Sequence, residues 1–314
     1  MMRIHVSTPI DEAAHIVAMF QEALPGAQIA LVDGTAHDNS NPGDADYVVT
    51  GYRNATLFDR ERRMKAIFAF SAGVAHVLSL PNLPDGVPVI RLEDAGMAPQ
   101  MVRYALAATL RFAQRLDVYA HQQRERRWQQ MPPRAPREIH VGVLGIGVIG
   151  SEIAHALASF GFSVRGFARR RASIAGVRCF AGDREFNGFL DGLDVLIAII
   201  PLTAETAGVL NRETLSRLAD GAHVINIGRG AHLVDADLLA LIDKGKLSGA
   251  TLDVFRDEPL PADHPFWGRT EIAITPHISG TTLPQEAVKQ IAAKIKRLER
   301  GLPVTGVVDR ERGY

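Results

Sequence analysis

Residues 141–150, VGVLGIGVIG, constrain the fold of this chain more than any other stretch. An apolar run leads into three glycines spaced as Gly145-x-Gly147-x-x-Gly150, and SEIAHALASFG then continues with apolar residues at helical spacing. A strand, a glycine turn and a helix in this order form the context in which a GxGxxG motif binds a dinucleotide. The glycines permit the turn, the approach of a pyrophosphate and close helix–strand packing, and the helix N-terminus favours phosphate. A tight turn that binds no nucleotide is the alternative.

The next predicted strand, FSVRGFARRR, indicates which nucleotide is bound. An acidic residue about 20 residues after the glycines would hold the ribose 2′-hydroxyl of NAD(H). Ala168 stands there instead, and Arg169, Arg170 and Arg171 follow it. Guanidinium groups pair with a 2′-phosphate in bidentate fashion, and no carboxylate at this position repels it. We therefore expect NADP(H) to be preferred, with NAD(H) possible; a solvated basic turn is the alternative.

Composition narrows the class of protein. At 314 residues the chain is long enough for two cores. Lys+Arg and Asp+Glu both number 35, so no overall charge favours nucleic acid or a membrane as partner. The single Cys179 cannot form an intrachain disulfide and fits a reducing compartment. MMRIHVSTPI is typical of a strand rather than a signal peptide, and VLIAII is too short to span a bilayer. A cytoplasmic enzyme or binding protein is expected.

Strand and helix patterns alternate on both sides of a long helix predicted from about Pro99 to Trp128. Before it lie candidate strands at 3–7, 27–33, 47–51, 66–71 and 88–92. After it lie the candidate strands HVGVLG, SVRGFA, DVLIAII, HVINIG, GATLDVF and EIAITPH, and a last periodic helix, PQEAVKQIAAKIKRLERG. We expect an α/β fold with two parallel-sheet domains, the second inserted into the first. Residues 1–98 and 284–314 form the first domain and 99–283 the second, and a ligand cleft is expected beside the C-terminal strand ends.

Three polar segments follow apolar strands of the second series. They are VINIGRGAHLVD with Arg229, TLDVFRDEPLP with Glu258, and AITPHISGTT with His277. Reduction of a 2-keto acid needs a cation for the carboxylate and carbonyl oxygen, and a proton donor for the developing alkoxide. Arg229 can supply the cation and His277 the proton, while Glu258 can raise the imidazole pKa and orient the ring. From residue types alone, a cap or an ion pair for the charged residues and a structural role for His277 remain the alternatives.

On these segments the chain resembles the D-isomer-specific 2-hydroxyacid dehydrogenases over essentially its whole length, and within that family the glyoxylate/hydroxypyruvate reductase A group. Further matching segments are SAGVAHVLSLP, VIRLEDAGMAPQMVRYAL, LTAETAGVLN and the tail VDRERGY. The resemblance implies an oxidoreductase that reduces glyoxylate, hydroxypyruvate or a bulkier 2-keto acid to the D-2-hydroxy acid. It implies two doubly wound domains, a Rossmann domain for NADP inserted into a flavodoxin-like substrate (catalytic) domain. It also implies a homodimer formed through the cofactor domain, with the long helix 99–128 and its arm as the contact.

The resemblance assigns the site residues as well. Its catalytic set falls on Arg229, Glu258 and His277. Backbone amides of the loop Ala72, Gly73 and Val74 would bind the substrate carboxylate together with Arg229. Cofactor contacts are expected at Gly145, Gly147, Val148, Ile149, Gly150, Arg169, Arg170, Arg171, Pro201, Leu202, Thr206, Ile227, Gly228, Asp253 and Met101. Met97 is expected to line the cleft with Met101, although both methionines also suit an ordinary core. No metal site is expected.

Two positions depart from the family pattern. Ala75 replaces the acid of an AGVD loop, which leaves the local hydrogen bonds of that loop open. Gly51, followed by Tyr52, stands where close relatives place a Trp, so the missing indole would enlarge the pocket unless Tyr52 fills it. The identity of the 2-keto acid therefore stays open. A nucleotide-sensing binding protein on the same scaffold is the competing interpretation, because such proteins keep the catalytic residues.

Overall fold

The fold consists of two parallel-sheet α/β units, as predicted. In the computed structural model the described residues are 1–8, 10–32, 43–51, 56–59, 61, 63–71, 73–80, 82–311 and 313. One unit comprises Met1–Met97 with Thr282–Tyr314, and the other comprises Ala98–Thr281. The boundaries predicted from the sequence, where the chain passes from one unit to the other, lie at 98/99 and 283/284. The chain thus leaves the first unit once and returns to it with its last helix.

The first unit is built on a five-stranded parallel sheet. Its elements are β1 (Arg3–Ser7), α1 (Ile10–Ala23), β2 (Gln28–Leu31), β3 (Tyr47–Thr50), β4 (Ala66–Ala69), α2 (Ala75–Leu78), β5 (Val89–Ile90) and α9 (Pro284–Leu298). The strand order is β2-β1-β3-β4-β5, the flavodoxin-like order with its reversal between β1 and β3. Apolar faces of α1 and α9, including Phe20, Ile291 and Ile295, share one core with the sheet. This shared core is what makes the C-terminal helix part of the first unit.

The second unit is built on a seven-stranded parallel sheet. Its strands are β6 (His140–Leu144), β7 (Ser163–Ala168), β8 (Val177–Ala181), β9 (Val195–Ala198), β10 (Ala222–Asn226), β11 (Leu247–Leu252) and β12 (Ile272–Ile274). Its helices are α3 (Ala98–Ala113), α4 (Leu116–Arg124), α5 (Val148–Ser159), α6 (Asp183–Leu190), α7 (Arg212–Ser216) and α8 (Asp235–Asp243). The order is β12-β11-β10-β9-β6-β7-β8, a Rossmann arrangement with one additional strand. Strand order reverses between β6 and β9, where such sheets bind ligands.

The structure differs from the sequence prediction in several elements. Strand β8 and helices α6 and α7 were not predicted. Strand β8 is a half-exposed edge strand, and an arginine interrupts its apolar residues. The single helix over 99–128 is wrong: α3 ends at Ala113, and Arg115 has a left-handed φ of 54° before α4 begins. Arg111 pairs with Asp117 across the break, and the Met131 N–H donates to the Tyr119 hydroxyl at 3.0 Å. The first contact spans the break between α3 and α4, and the second joins the segment after α4 to that helix.

Among the described residues, no helix combines the length and apolar character needed to cross a membrane.

Candidate active site

In the glycine turn between β6 and α5, two glycines pack against neighbouring backbone and the third faces open space. Gly145 has a φ of 106°, and a Cβ there would lie 2.7 Å from the Ile199 carbonyl oxygen. A Cβ on Gly150 would lie 1.8 Å from the Gly145 carbonyl oxygen, so only glycine lets the helix start this close to the strand. A Cβ on Gly147, the residue before α5, would meet no atom within 4 Å. This open space beside a helix N-terminus fits a pyrophosphate group.

The arginines after β7 are exposed but not equivalent. Arg171 pairs with Glu185 and donates to the Cys179 carbonyl oxygen at 3.2 Å, so its guanidinium is tied to β8 and α6. The Ala181 N–H and Arg171 hold the pKa of the Glu185 carboxyl below its ordinary value. Sequence reasoning missed this carboxylate because α6 was not predicted. Arg169 and Arg170 directly precede Arg171 in sequence, at the end of the strand that follows the glycine turn.

Glu258 and His277 are brought together at the carboxyl edge of the second sheet. Strands β11 and β12 are parallel neighbours, so the loops that follow them leave from the same edge. The Nδ1 atom of His277 lies 2.8 Å from Oε2 of Glu258. The other carboxylate oxygen, Oε1, accepts the Phe255 N–H at 2.9 Å. Glu258 thus engages one ring nitrogen, which leaves Nε2 of His277 for a reactant.

Arg229 follows β10, the strand beside β11, and is largely buried. Its Nη1 donates to the Gly228 carbonyl oxygen at 2.6 Å. Burial lowers the pKa of its guanidinium, whereas the charge of Glu258 raises it. Arginine keeps its charge at any working pH because its ordinary pKa exceeds 12. The site therefore contains a permanent positive charge on Arg229, close enough to Glu258 for the two charges to interact.

His232, which the sequence did not single out, holds the Arg229 loop. The Arg229 N–H donates to Nδ1 of His232 at 3.2 Å. Burial lowers the pKa of His232 to about 4, so the ring is neutral near pH 7 and its Nδ1 can accept. A Cβ on Gly230 would lie 1.8 Å from the Phe255 carbonyl carbon, so glycine lets this loop press against the segment that precedes Glu258. The hydrogen bond from Arg229 to His232 and the close approach of Gly230 to Phe255 both depend on the folded structure, so no local sequence pattern predicts them.

Asp253 was expected to contact the cofactor. In the structure it is fully buried, and its carboxylate accepts hydrogen bonds from the residues around His277. The Thr275 hydroxyl donates to it at 2.5 Å, and the Ile278 and Ser279 N–H groups donate at 2.8 Å each. These bonds make Asp253 the anchor of the loop that carries His277.

The other residues of the second unit assigned to cofactor contacts divide by exposure. Val148 and Leu202 are exposed, and Ile227 and Met101 are buried. The Thr206 hydroxyl donates to the Pro201 carbonyl oxygen at 2.8 Å and accepts the Thr203 N–H at 2.8 Å, which closes the turn after β9. The hydroxyl therefore shapes the turn on which Pro201 and Leu202 lie.

The loop that was expected to bind the substrate carboxylate lies in the first unit, after β4. Ala72 falls outside the described residues, as does Tyr52. The Gly73 carbonyl oxygen accepts the Ser71 hydroxyl at 2.7 Å, and Val74 is buried in the core under the sheet. Gly51 has room for a side chain: a Cβ there would lie 3.5 Å from Cβ of Phe70, an ordinary contact.

Comparison with known proteins places this geometry in a family. The model of the D-isomer specific 2-hydroxyacid dehydrogenase NAD binding domain matches residues 106–279. A glyoxylate/hydroxypyruvate reductase A of Serratia proteamaculans is 43% identical over 100% of both chains. The protein of the same description from Yersinia enterocolitica is 41% identical, again over 100% of both.

Solved structures agree with these relatives. A D-isomer specific 2-hydroxyacid dehydrogenase from Xanthobacter autotrophicus, in complex with NADPH and MES, superposes with a TM-score of 0.93 at 36% identity, covering 100% of this chain and 99% of that one. An NADPH-dependent glyoxylate/hydroxypyruvate reductase from Sinorhizobium meliloti, in complex with NADP and sulfate, superposes with a TM-score of 0.91 at 32% identity, covering 100% of both.

Proposed function

The chain belongs to the D-isomer-specific 2-hydroxyacid dehydrogenases and is an oxidoreductase, and on this premise we propose that it reduces a 2-keto acid to the D-2-hydroxy acid with NADPH. The observation that carries the proposal is the 2.8 Å contact between His277 and Glu258 at the sheet edge where Arg229 also stands. The curated relatives are reductases of glyoxylate and hydroxypyruvate, so the comparisons do not favour a nucleotide sensor.

The three side chains divide the chemistry of reduction among them. Arg229 binds the substrate carboxylate and polarises the carbonyl oxygen through its positive charge. That charge is present at any working pH, because a guanidinium does not lose its proton in this range. His277 donates a proton from Nε2 to the carbonyl oxygen as negative charge develops there, and the imidazole becomes neutral. Glu258 holds Nδ1 of His277 and stabilises the protonated ring before the transfer. The backbone amides of Gly73 and Val74, with Ala72, would hold the carboxylate from the first unit.

The residues around the glycine turn suit NADP(H). Gly145, Gly147 and Gly150 would hold the pyrophosphate at the start of α5, and Arg169, Arg170 and Arg171 would bind the 2′-phosphate. When bound, the cofactor supplies the hydride. Support comes from two similar structures, which hold NADPH and NADP. The remaining proposed contacts are Val148, Ile149, Pro201, Leu202, Thr206, Ile227, Gly228, Asp253 and Met101.

Gly51 points to a 2-keto acid with a larger side chain. A missing indole at this position would leave volume for an apolar group, whose burial contributes about 25 cal/mol per Å². Phenylpyruvate or a branched 2-keto acid should then be reduced at least as efficiently as glyoxylate. The variant Gly51→Trp should reverse that order.

An NADPH-oxidation assay over a panel of 2-keto acids tests the proposed function. The panel includes glyoxylate, hydroxypyruvate, phenylpyruvate and a branched 2-keto acid. Turnover that is lost in His277→Ala supports the proposal. Binding of NADPH without turnover of any panel member contradicts it and favours the sensor. A strong preference for glyoxylate contradicts only the enlarged pocket.

A further inference from the structure

A chain of hydrogen bonds runs from helix α3 to the loop that carries His277. The Tyr104 hydroxyl lies 2.6 Å from Oγ1 of Thr275, and Thr275 donates to Oδ1 of Asp253 at 2.5 Å. A threonine hydroxyl has one hydrogen, and here it goes to Asp253. Tyr104 is therefore the donor to Thr275. No sequence pattern predicts a functional role for the side chain of Tyr104 or of Thr275.

The Asp253 end of this chain holds both sides of His277. Thr275 precedes the histidine, while Ile278 and Ser279 follow it, and all three donate to the same carboxylate. The His277 N–H donates to the Asp253 carbonyl oxygen at 2.9 Å. His277 has a φ of 55°, in the left-handed region that is unfavourable for a residue with a side chain. Such a conformation persists only when surrounding bonds hold it, and here those bonds converge on Asp253.

Helix α3 holds the other end of the chain. Gln100 and Tyr104 are four residues apart and share one face of the helix. The Gln100 side chain donates to the Thr281 carbonyl oxygen at 2.8 Å and accepts the Thr281 N–H at 3.3 Å. Burial raises the pKa of the Tyr104 phenol, and the charge of Asp253 acts in the same direction. Tyr104 therefore keeps its hydrogen, and α3 binds the loop at two points.

We propose that Tyr104 is a positioning residue for the reduction, which through Thr275 and Asp253 fixes the orientation of the His277 ring toward Glu258. The inference rests on the proposed role of His277 as proton donor. Among the described residues, Glu258 contacts the His277 ring, the Asp253 carboxylate accepts from the residues that flank it, and Arg229 lies close enough to Glu258 for their charges to interact. Tyr104 itself need not touch substrate or cofactor.

Kinetics of substituted enzymes give the first test. Tyr104→Phe removes one hydroxyl, and kcat for a 2-keto acid should fall about two- to tenfold, the effect of one net hydrogen bond. KM for NADPH should change less than about twofold, since no cofactor contact is lost. Thr275→Val should lower kcat at least as much, whereas Thr275→Ser should retain it. Adding Tyr104→Phe to Thr275→Val should have no further effect, because both act through one path.

Tyr47→Phe is the matched control. The buried Tyr47 donates to Glu299 at 2.6 Å in the first unit, so this variant also loses one phenol hydrogen bond. It should leave kcat unchanged. Equal losses of kcat in the two Tyr→Phe variants would mean a general loss of stability and would overturn the proposal. If Tyr104→Phe does not fold, the contrast between Thr275→Val and Thr275→Ser decides, and equal activity of that pair overturns it.

An NMR titration of the His277 imidazole in the free enzyme gives a second, independent test. The resonance is assigned by its loss in His277→Ala. In Tyr104→Phe the midpoint of the titration should move to lower pH, since a misdirected ring gains less from Glu258. An unchanged midpoint together with an unchanged kcat overturns the proposal. If the parent enzyme reduces no 2-keto acid, the proposed function fails, while the titration still decides whether Tyr104 positions the ring.

Discussion

His277 shows how much of the chemistry depends on single side chains. Its Nδ1 faces Glu258 at 2.8 Å, and both side chains remain partly exposed. In the proposed reduction the imidazole must be protonated, because it gives its proton to the substrate. We expect Glu258→Gln to move the alkaline limb of the kcat/KM profile to lower pH, because the neutral amide no longer stabilises the positive ring. The measurement is the pH dependence of 2-keto acid reduction in parent and variant.

The matched control for that prediction is Glu271→Gln, which removes a carboxylate that pairs with Arg269 instead. Its profile should coincide with that of the parent. His277→Ala should lower kcat by about 10²–10⁴-fold, the usual contribution of general acid catalysis. A profile that Glu258→Gln leaves unchanged would remove Glu258 from the mechanism and leave it a role in loop structure.

The arginine run predicts an effect on cofactor choice. We expect Arg169, Arg170 and Arg171 to bind a 2′-phosphate at the end of β7, where Arg171 also pairs with Glu185. Replacing Arg169 and Arg171 with Ala should reduce the NADPH-to-NADH ratio of kcat/KM about 10–100-fold, as expected for a charge-assisted hydrogen bond. Arg178→Ala is the control, because that guanidinium stacks on Phe180. A parent that uses both cofactors equally well would contradict the prediction.

At the scale of elements, β10 and the turn after it carry two buried histidines. Burial lowers the pKa of His223 and of His232 to about 4 each. The unfolded chain takes up these protons near pH 6.5, so the folded state loses stability as pH falls from 6.5 toward 4. Each histidine should cost at most about 3 kcal/mol over that range. Urea unfolding of the parent at several pH values measures the decline.

His223→Gln tests the origin of this decline. The amide can keep a hydrogen bond to Thr251, which the imidazole makes at 3.0 Å, but it cannot take up a proton. The free energy of unfolding should then fall less steeply between pH 6.5 and 4 than in the parent. His155→Gln, at an exposed position of α5, should keep the parent slope. Equal slopes in all three proteins would show that His223 does not contribute.

At the scale of the whole molecule, we propose a homodimer formed through α4 and the arm that follows it. Leu116 and Val118 are exposed on this short helix, and Trp128 is fully exposed beyond it. Exposed apolar side chains on a short helix and on the arm after it are typical of an interface between copies. Light scattering should give twice the chain mass of 34.1 kDa, and Val118→Asp should shift it toward the single chain. Leu302→Asp, at an exposed position in the first unit, should remain dimeric. A parent of 34.1 kDa at micromolar concentration would contradict the homodimer.

The sequence by itself determined the family, the two-sheet α/β architecture and the strand–turn–helix at Gly145–Gly150. Local sequence patterns predict these features. Apolar runs indicate buried parallel strands, and glycines stand where a Cβ would clash. Polar residues follow directly after the strands. Arg229, Glu258 and His277 could be proposed for the same reason, since strand ends of a parallel sheet meet at one edge. Their catalytic roles stay predictions.

Only the tertiary structure decided which groups hold these residues in place. Arg115 interrupts a helix that the periodicity continues, and the half-exposed strand β8 has no strong pattern. The bonds of Tyr104 to Thr275 and of Thr275 to Asp253 join residues 171 and 22 positions apart. The spacing of residues along the chain does not predict such contacts, because they depend on how helices and loops pack against the sheet. The orientation of a side chain within the site is therefore a property of the folded molecule.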